Sequence, residues 1–346
     1  MNRRTFTASL VLMAFESARR NLARGEDVAA AAKNNADAPT PSTGNPNVPL
    51  PTLGGKQFWG DELFFREYRI QRNVLTGHCR LLDGRKVRQA WGTYDECYAK
   101  LEEIKQRRNL PPMSGRAVVV LHGLFRSGAS MERISRYLQK QGNFSVFNVT
   151  YPTTRTPIAA HAQRLAGILE HLHGMEEQNF VGHSLGNVVV RHYLADQNSA
   201  KTDRAPDPRI KRIVMLAPPN NGAKLAEMLG RSQLFQVFAG EPGSQLGHGW
   251  ADLEAHLATP NCEFGIIAGG LGNARGYNPL LGEDNDLVIS VETTRLAGAA
   301  DFAVVPSIHT FIKDDPKAQE YALRFLEHGY FISPDKRQPI LPGTVG

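Results

Sequence analysis

The stretch Asn179-Phe-Val-Gly-His-Ser-Leu-Gly-Asn-Val-Val-Val-Arg191 decides the fold. Phe180 and Val181 close an apolar run that predicts a short buried strand. Gly182-His183-Ser184-Leu185-Gly186 turns the chain sharply, and from Asn187 the pattern is helical, with Val188, Val189 and Val190 packing inward. Strand, tight turn and helix leave a serine at the apex. A side chain at position 182 or 186 would collide with the neighbouring strand or helix if residue 184 were pushed into a strained conformation. Ser184 Oγ then stands clear of the backbone at a helix N-terminus. There the Leu185 N–H and the positive end of the helix face any negative charge that develops.

Working outward, strand-like and helix-like runs alternate. Ala117–Leu121, Phe144–Val149, Ile210–Leu216 and Glu263–Ala268 are apolar strands, and Val304-Val305 lies near the end of the last one. Ser130–Gln139, Ile158–Leu172 and Pro316–Leu326 read as helices between or after them. Continuous apolar strands alternating with amphipathic helices predict an α/β fold with a mostly parallel sheet covered on both faces. In such sheets chemistry gathers at the C-terminal strand edge, where Ser184 sits.

A serine hydroxyl is a poor nucleophile at neutral pH and needs a base, which in turn needs an orienting carboxylate. Of 11 histidines, His309 is the best placed, on a loop after the last strand and before the last helix. His183 is expected to point elsewhere on the turn. His161, His171, His173 and His192 fall in helices and read as surface or packing residues, and His248 and His256 are weaker rivals. For the acid, Asp286 directly precedes the apolar run Leu287–Val291, read as a strand, with Asp284 and Glu283 as alternatives. The order is Ser184, Asp286, His309. An oxyanion would need a second donor besides the Leu185 N–H. Leu121-His-Gly-Leu-Phe125 ends the first long strand, Gly123 allows close backbone approach, and the Leu124 N–H is the natural donor.

With these residues assembled, positions 115–330 resemble the α/β-hydrolase superfamily in its serine lipase/esterase branch. The features that carry the resemblance are His122-Gly123, Gly182-x-Ser184-x-Gly186, Asp286 and His309. The resemblance implies an α/β-hydrolase fold and an acyl-enzyme on Ser184 that cleaves carboxylic esters, small or lipid. It implies no cofactor. An acyltransferase or amidase of the same fold is the alternative within this chemistry, and a non-catalytic binding module the alternative outside it. Where the family often has Asp-Gly, this chain has Asp286-Leu287. Between Pro219 and Cys262 lies an insertion, about 219–262, at the position of a lid or acyl-binding wall.

The N-terminal third differs in character. Residues 1–54 are signal-like, then rich in Ala, Asn, Pro, Thr and Gly, and read as a disordered linker. The Arg3-Arg4 pair resembles a twin-arginine export signal, but Glu16 interrupts the apolar run and no clean cleavage site follows, which favours a cytoplasmic protein. Residues 55–112 form an accessory β/α segment, with turns at Thr76-Gly77 and Asp83-Gly84 and a helix over Tyr94–Arg107. Residues 113–346 form the hydrolase-like domain.

The net charge of +6 comes entirely from this third, with 18 Lys/Arg against 12 Asp/Glu in residues 1–110 and 22 against 22 thereafter. So dilute an excess argues against nucleic acid as a partner and leaves room for weak contact with anionic membrane surfaces. No stretch is long and apolar enough to span a membrane. Three widely spread cysteines, with no C-x-x-C pair and no metal spacing, predict neither a disulfide framework nor a metal site.

Overall fold

A computed structural model of the chain describes residues 50–51, 58–198, 207–221 and 250–342. Most of the N-terminal 54 residues and positions 222–249 of the insertion lie outside them.

Six parallel strands form the main sheet: β6 (Arg116–Leu121), β7 (Phe144–Val149), β8 (Glu177–His183), β9 (Ile210–Leu216), β10 (Glu263–Gly269) and β11 (Asp301–Val305), in the order β11-β10-β9-β8-β6-β7. The alternation of β6 explains why it is central. Ala117, Val119 and Leu121 enter one core cluster, while Val118 and Val120 enter the other. The first cluster lies under helices α3 (Ile158–Glu170) and α4 (Leu185–Asn198), and the second under α2 (Glu132–Gln141) and α6 (Pro316–His328). A strand buried on both sides has no room for polar side chains, which is why these segments read as unbroken apolar runs. Full burial of each Val, Leu or Phe contributes about 1.5–3 kcal/mol. The chain is an α/β protein, a parallel sheet covered by helices on both faces, as its alternating apolar runs imply.

The first part of the described chain makes a separate antiparallel sheet. Its strands are β1 (Leu50–Pro51), β2 (Trp59–Phe65), β3 (Tyr68–Asn73), β4 (Cys79–Leu82) and β5 (Val87–Gly92), ordered β1-β5-β4-β3-β2. Helix α1 (Tyr94–Arg107) closes its core through Cys97, Leu101 and Ile104. A capping box between Thr93 and Glu96 starts that helix, satisfying two backbone donors reciprocally. Between β2 and β3, Arg66 takes a left-handed conformation (φ 54°) and reverses the chain. Cys79 and Cys97 are both buried and both free thiols.

This sheet is tied to the main one at the end of β7. Buried Asp61 accepts the Thr150 N–H at 2.6 Å and the Gln71 amide at 2.8 Å, and its own N–H donates to the Thr150 carbonyl at 2.8 Å. Arg69 adds a longer bond to the same carboxylate, at 3.3 Å. Burial is the dominant influence on Asp61 and raises its pKa, against the lowering effect of Arg69 and of the donated hydrogen bonds.

Candidate active site

Ser184 follows β8 directly and precedes α4, at the C-terminal edge of the sheet. Its φ of 52° is a left-handed conformation that a non-glycine residue adopts only under constraint. The constraints are visible. The Ser184 N–H donates to the Leu216 carbonyl at 3.0 Å, and the Ser184 carbonyl accepts from the Asn187 N–H at 3.0 Å. A Cβ at Gly186 would stand 2.6 Å from the Leu121 carbonyl oxygen of β6, and one at Gly182 would stand 2.8 Å from Asn187 Cγ on the helix. The two glycines therefore let strand and helix close on either side of the serine.

His309 lies on the loop between β11 and α6. Its Nε2 is 3.0 Å from Ser184 Oγ and its Nδ1 2.7 Å from Asp286 Oδ2. A carboxylate only accepts, so Nδ1 carries the proton and Nε2 is left as acceptor for the serine hydroxyl. Asp286 is fully buried and is held by its other oxygen, which accepts the Val288 and Ile289 N–H groups at 3.0 and 2.8 Å. The His309 N–H donates to the Asp286 carbonyl at 2.9 Å, joining the two loops through their backbones as well.

The surroundings of Asp286 differ from expectation. Leu287–Val291 is not a strand but a tight loop, closed by a single antiparallel bridge between Asn285 and Ser290. Ile289 and Val291 enter opposite core clusters, while Val288 between Leu287 and Ile289 is exposed. Leu287 has φ 82°, the conformation that a glycine at this position would take without strain. Of the alternatives, Asp284 is occupied elsewhere: its two oxygens accept the Leu271 and Gly272 N–H groups, both at 2.8 Å. That carboxylate pins the Gly269–Gly272 segment, which on sequence reads as a flexible turn.

Among the described residues neither the Leu124 nor the Leu185 N–H has a hydrogen-bond acceptor. Gly123 brings the first loop against the serine, since a Cβ there would stand 3.0 Å from Ser184 Cβ. The loop is held from β7. Tyr151 stacks on His122 with centroids 4.2 Å apart, its hydroxyl donates to the His122 carbonyl, and Thr153 Oγ1 accepts the Phe125 N–H at 3.1 Å. Burial holds His122 down to about 4 and raises the Tyr151 phenol, so both stay neutral. No sequence signal marked Tyr151 or Thr153, because their roles depend on β6 and β7 pairing in register.

His183 does point away from the serine, but toward the candidate base. Its Nε2–H donates to the His309 carbonyl at 2.9 Å, and burial, followed by the neighbouring His309, depresses its pKa well below the ordinary range. His161 is buried beside Tyr151. His171 bonds Tyr94, and His256 lies in α5 (Trp250–His256) beside Asp196. His248 is outside the described residues. A hollow of about 350 Å³ lies elsewhere, lined by Leu169, Tyr193 and Arg209 among others, at the opposite end of the sheet from Ser184.

Residues 114–219, which hold both the His122-Gly123 loop and the Ser184 turn, match the family model described as "Putative serine esterase (DUF676)". No curated protein matches the sequence. Among solved structures, the lin2722 gene product of Listeria innocua is similar at 14% identity and a TM-score of 0.43, over 66% of this chain and 98% of that one. Phospholipase PlaB of Legionella pneumophila, solved with thio-NAD, is similar at 17% identity and a TM-score of 0.39, over 52% of this chain and 44% of that one. The structure of the metagenome-derived lipolytic enzymes LipS and LipT is similar at 16% identity and a TM-score of 0.39, over 62% of this chain and 93% of that one. The family match covers the segment that holds the first loop and the serine turn, and it supports a hydrolase of the serine-esterase kind.

Proposed function

We propose that this α/β-hydrolase-fold protein cleaves carboxylic esters through an acyl-enzyme on Ser184. The observation that carries the reading is the unbroken relay from Ser184 Oγ through His309 to buried Asp286, at 3.0 and 2.7 Å. In this reading His309 Nε2 takes the serine proton as Oγ attacks the ester carbonyl carbon. The Leu124 and Leu185 N–H groups receive the oxyanion, aided by the N-terminus of α4. His309 returns the proton to the leaving alkoxide, and water resolves the acyl-enzyme by the reverse relay. Asp286 holds the imidazole tautomer and offsets the charge of the transient imidazolium.

An apolar acyl group suits the rim. Leu271, Leu280 and Phe311, on segments that leave the same strand ends, expose 43%, 89% and 57% of their surface. The match to a serine-esterase family model supports the reaction class.

The test is Ser184→Ala assayed with p-nitrophenyl esters from C2 to C18, alongside labelling by a fluorophosphonate probe. The expected outcome is wild-type folding, no label on the variant, and turnover reduced by about 10³-fold or more. Retained turnover would end the proposal.

A further inference from the structure

Helix α4 begins at the candidate nucleophile, and its far end carries His192 and Asp196. Residues four apart on a helix share a face. Helix α5 brings His256 to that same face, across from both. His192 Nδ1 lies 3.1 Å from Asp196 Oδ2, and His256 Nε2 lies 2.8 Å from Asp196 Oδ1. The imidazole centroids are 4.3 Å apart, and one donor atom from each of the three side chains lies within 4.8 Å of the others. None of the three bonds to Ser184, Asp286, His309 or the Leu121–Phe125 loop.

We propose that His192, Asp196 and His256 form a zinc site, with three protein ligands and one coordination position left to water. Two imidazoles and one carboxylate are a donor set suited to zinc, whereas calcium and magnesium take six or more ligands that are mostly oxygen. Tetrahedral ligands at about 2.0–2.1 Å from zinc stand about 3.3 Å apart, a spacing that three donor atoms already within 4.8 Å of one another reach by small side-chain rotations. Without the ion the carboxylate accepts a proton from each ring. With it, each imidazole moves its proton to the other nitrogen and offers the freed lone pair, so no net proton is released.

The graded exposure fits an open site. The His192 side chain is 11% exposed, Asp196 36% and His256 46%, which gives one inner anchor, two outer ligands and a path from solvent. The position favours a cation, because Asp196 lies in the last turn of a 14-residue helix, where backbone carbonyls concentrate negative potential. Arg191, next in sequence to His192, points elsewhere, its Nε donating to the Ala258 carbonyl at 2.9 Å and its Nη1 to Asn220 at 3.1 Å. Zinc at this site would cross-link the helix that starts at Ser184 to the helix that directly follows residues 222–249. Sequence reading placed His192 with the packing residues and His256 among the rivals for the base, because nothing in the spacing joins positions 64 residues apart.

The test is titration of the metal-stripped full-length protein with zinc chloride by calorimetry, with melting curves in parallel. The variants are His192→Ala, Asp196→Asn and His256→Ala, and calcium chloride is the comparison metal. The expected result is one zinc per chain at a Kd on the order of micromolar or tighter, and a higher Tm with zinc. His256→Ala and Asp196→Asn should each weaken binding by about 100-fold or more. Because His256 is exposed, its variant should keep the metal-free melting temperature, which separates lost binding from lost folding. Failure to bind zinc at tens of micromolar overturns the proposal. So does zinc binding that survives unchanged in His256→Ala and Asp196→Asn, which would place the ion on other histidines. Calcium binding in place of zinc overturns it as well.

Discussion

The His183 ring holds the backbone of His309: its Nε2–H meets the His309 carbonyl at 2.9 Å, with the two imidazole centroids 5.1 Å apart. The residue next to the serine therefore sets the position of the loop that carries the candidate base. His183→Ala should leave a buried carbonyl unpaired, costing about 1–3 kcal/mol of stability. It should also lower kcat by about 10–100-fold, because small misplacements of a base are expensive in rate. His183→Gln, which keeps a donor, should recover part of kcat. A merely structural role would lower Tm in both variants without this rescue.

Asp284 and Asp286 have different partners. Asp286→Asn should lower turnover of a p-nitrophenyl ester by about 10⁴-fold, since an amide in that place favours the wrong imidazole tautomer. Asp284→Asn should keep turnover within about tenfold of wild type and lower Tm, since it loosens the Leu271 and Gly272 N–H groups. Kinetics and melting of the pair separate the roles, and equal loss at both positions would count against Asp286.

Two glycine-to-alanine changes should have opposite signs. At Gly186 the new Cβ would meet the Leu121 carbonyl oxygen at 2.6 Å, backbone that cannot step aside, so Gly186→Ala should cost about 1–3 kcal/mol or more and much of the activity. Gly167 lies inside α3 with nothing within 4 Å of its virtual Cβ, so Gly167→Ala should stabilise by about 0.5–1 kcal/mol. Urea titrations of both variants read the difference.

Leu287 at φ 82° carries backbone strain beside the candidate acid. Leu287→Gly should keep stability within about 1 kcal/mol of wild type, the relieved strain offsetting the lost side chain. Leu287→Val, whose branched Cβ tolerates this conformation least, should lose about 1–2 kcal/mol. Midpoints of chemical denaturation check the order.

Three buried histidines make the fold acid-labile. Burial holds His122 at about 4 and His161 at about 3, and depresses His183 as well, so all three are neutral when folded. Their pKa values lie below that of unfolded histidine, about 6.5, so the unfolded chain takes up protons first as pH falls. The stability they contribute is therefore present above about pH 6.5 and is lost toward pH 4, each by about 1.4 kcal/mol per pH unit. His161→Gln should flatten that slope by one histidine's share, measured as unfolding free energy against pH.

Much of this protein was legible before any coordinates. Valines and leucines in runs too continuous for a one-sided sheet announced strands buried on both faces, and β7, β9 and α1 fall on the residues expected. Gly182-x-Ser184-x-Gly186 declared its own geometry, because only glycine fits where strand and helix both press on the turn. These are local properties, carried by neighbours in sequence. The partners of Asp284 and Asp286, the hold of His183 on the His309 loop, the support of His122 by Tyr151, the anchoring of Asp61 at Thr150 and the meeting of His192 with His256 are not local. Each joins groups far apart in the chain, so only tertiary packing gives Asp286, the carboxylate favoured on sequence, and its alternative Asp284 their different partners. The apolar run after Asp286 read as a strand for the same reason: an apolar run records burial, and a tight loop that sends Ile289 and Val291 into two core layers needs apolar residues there as a strand does.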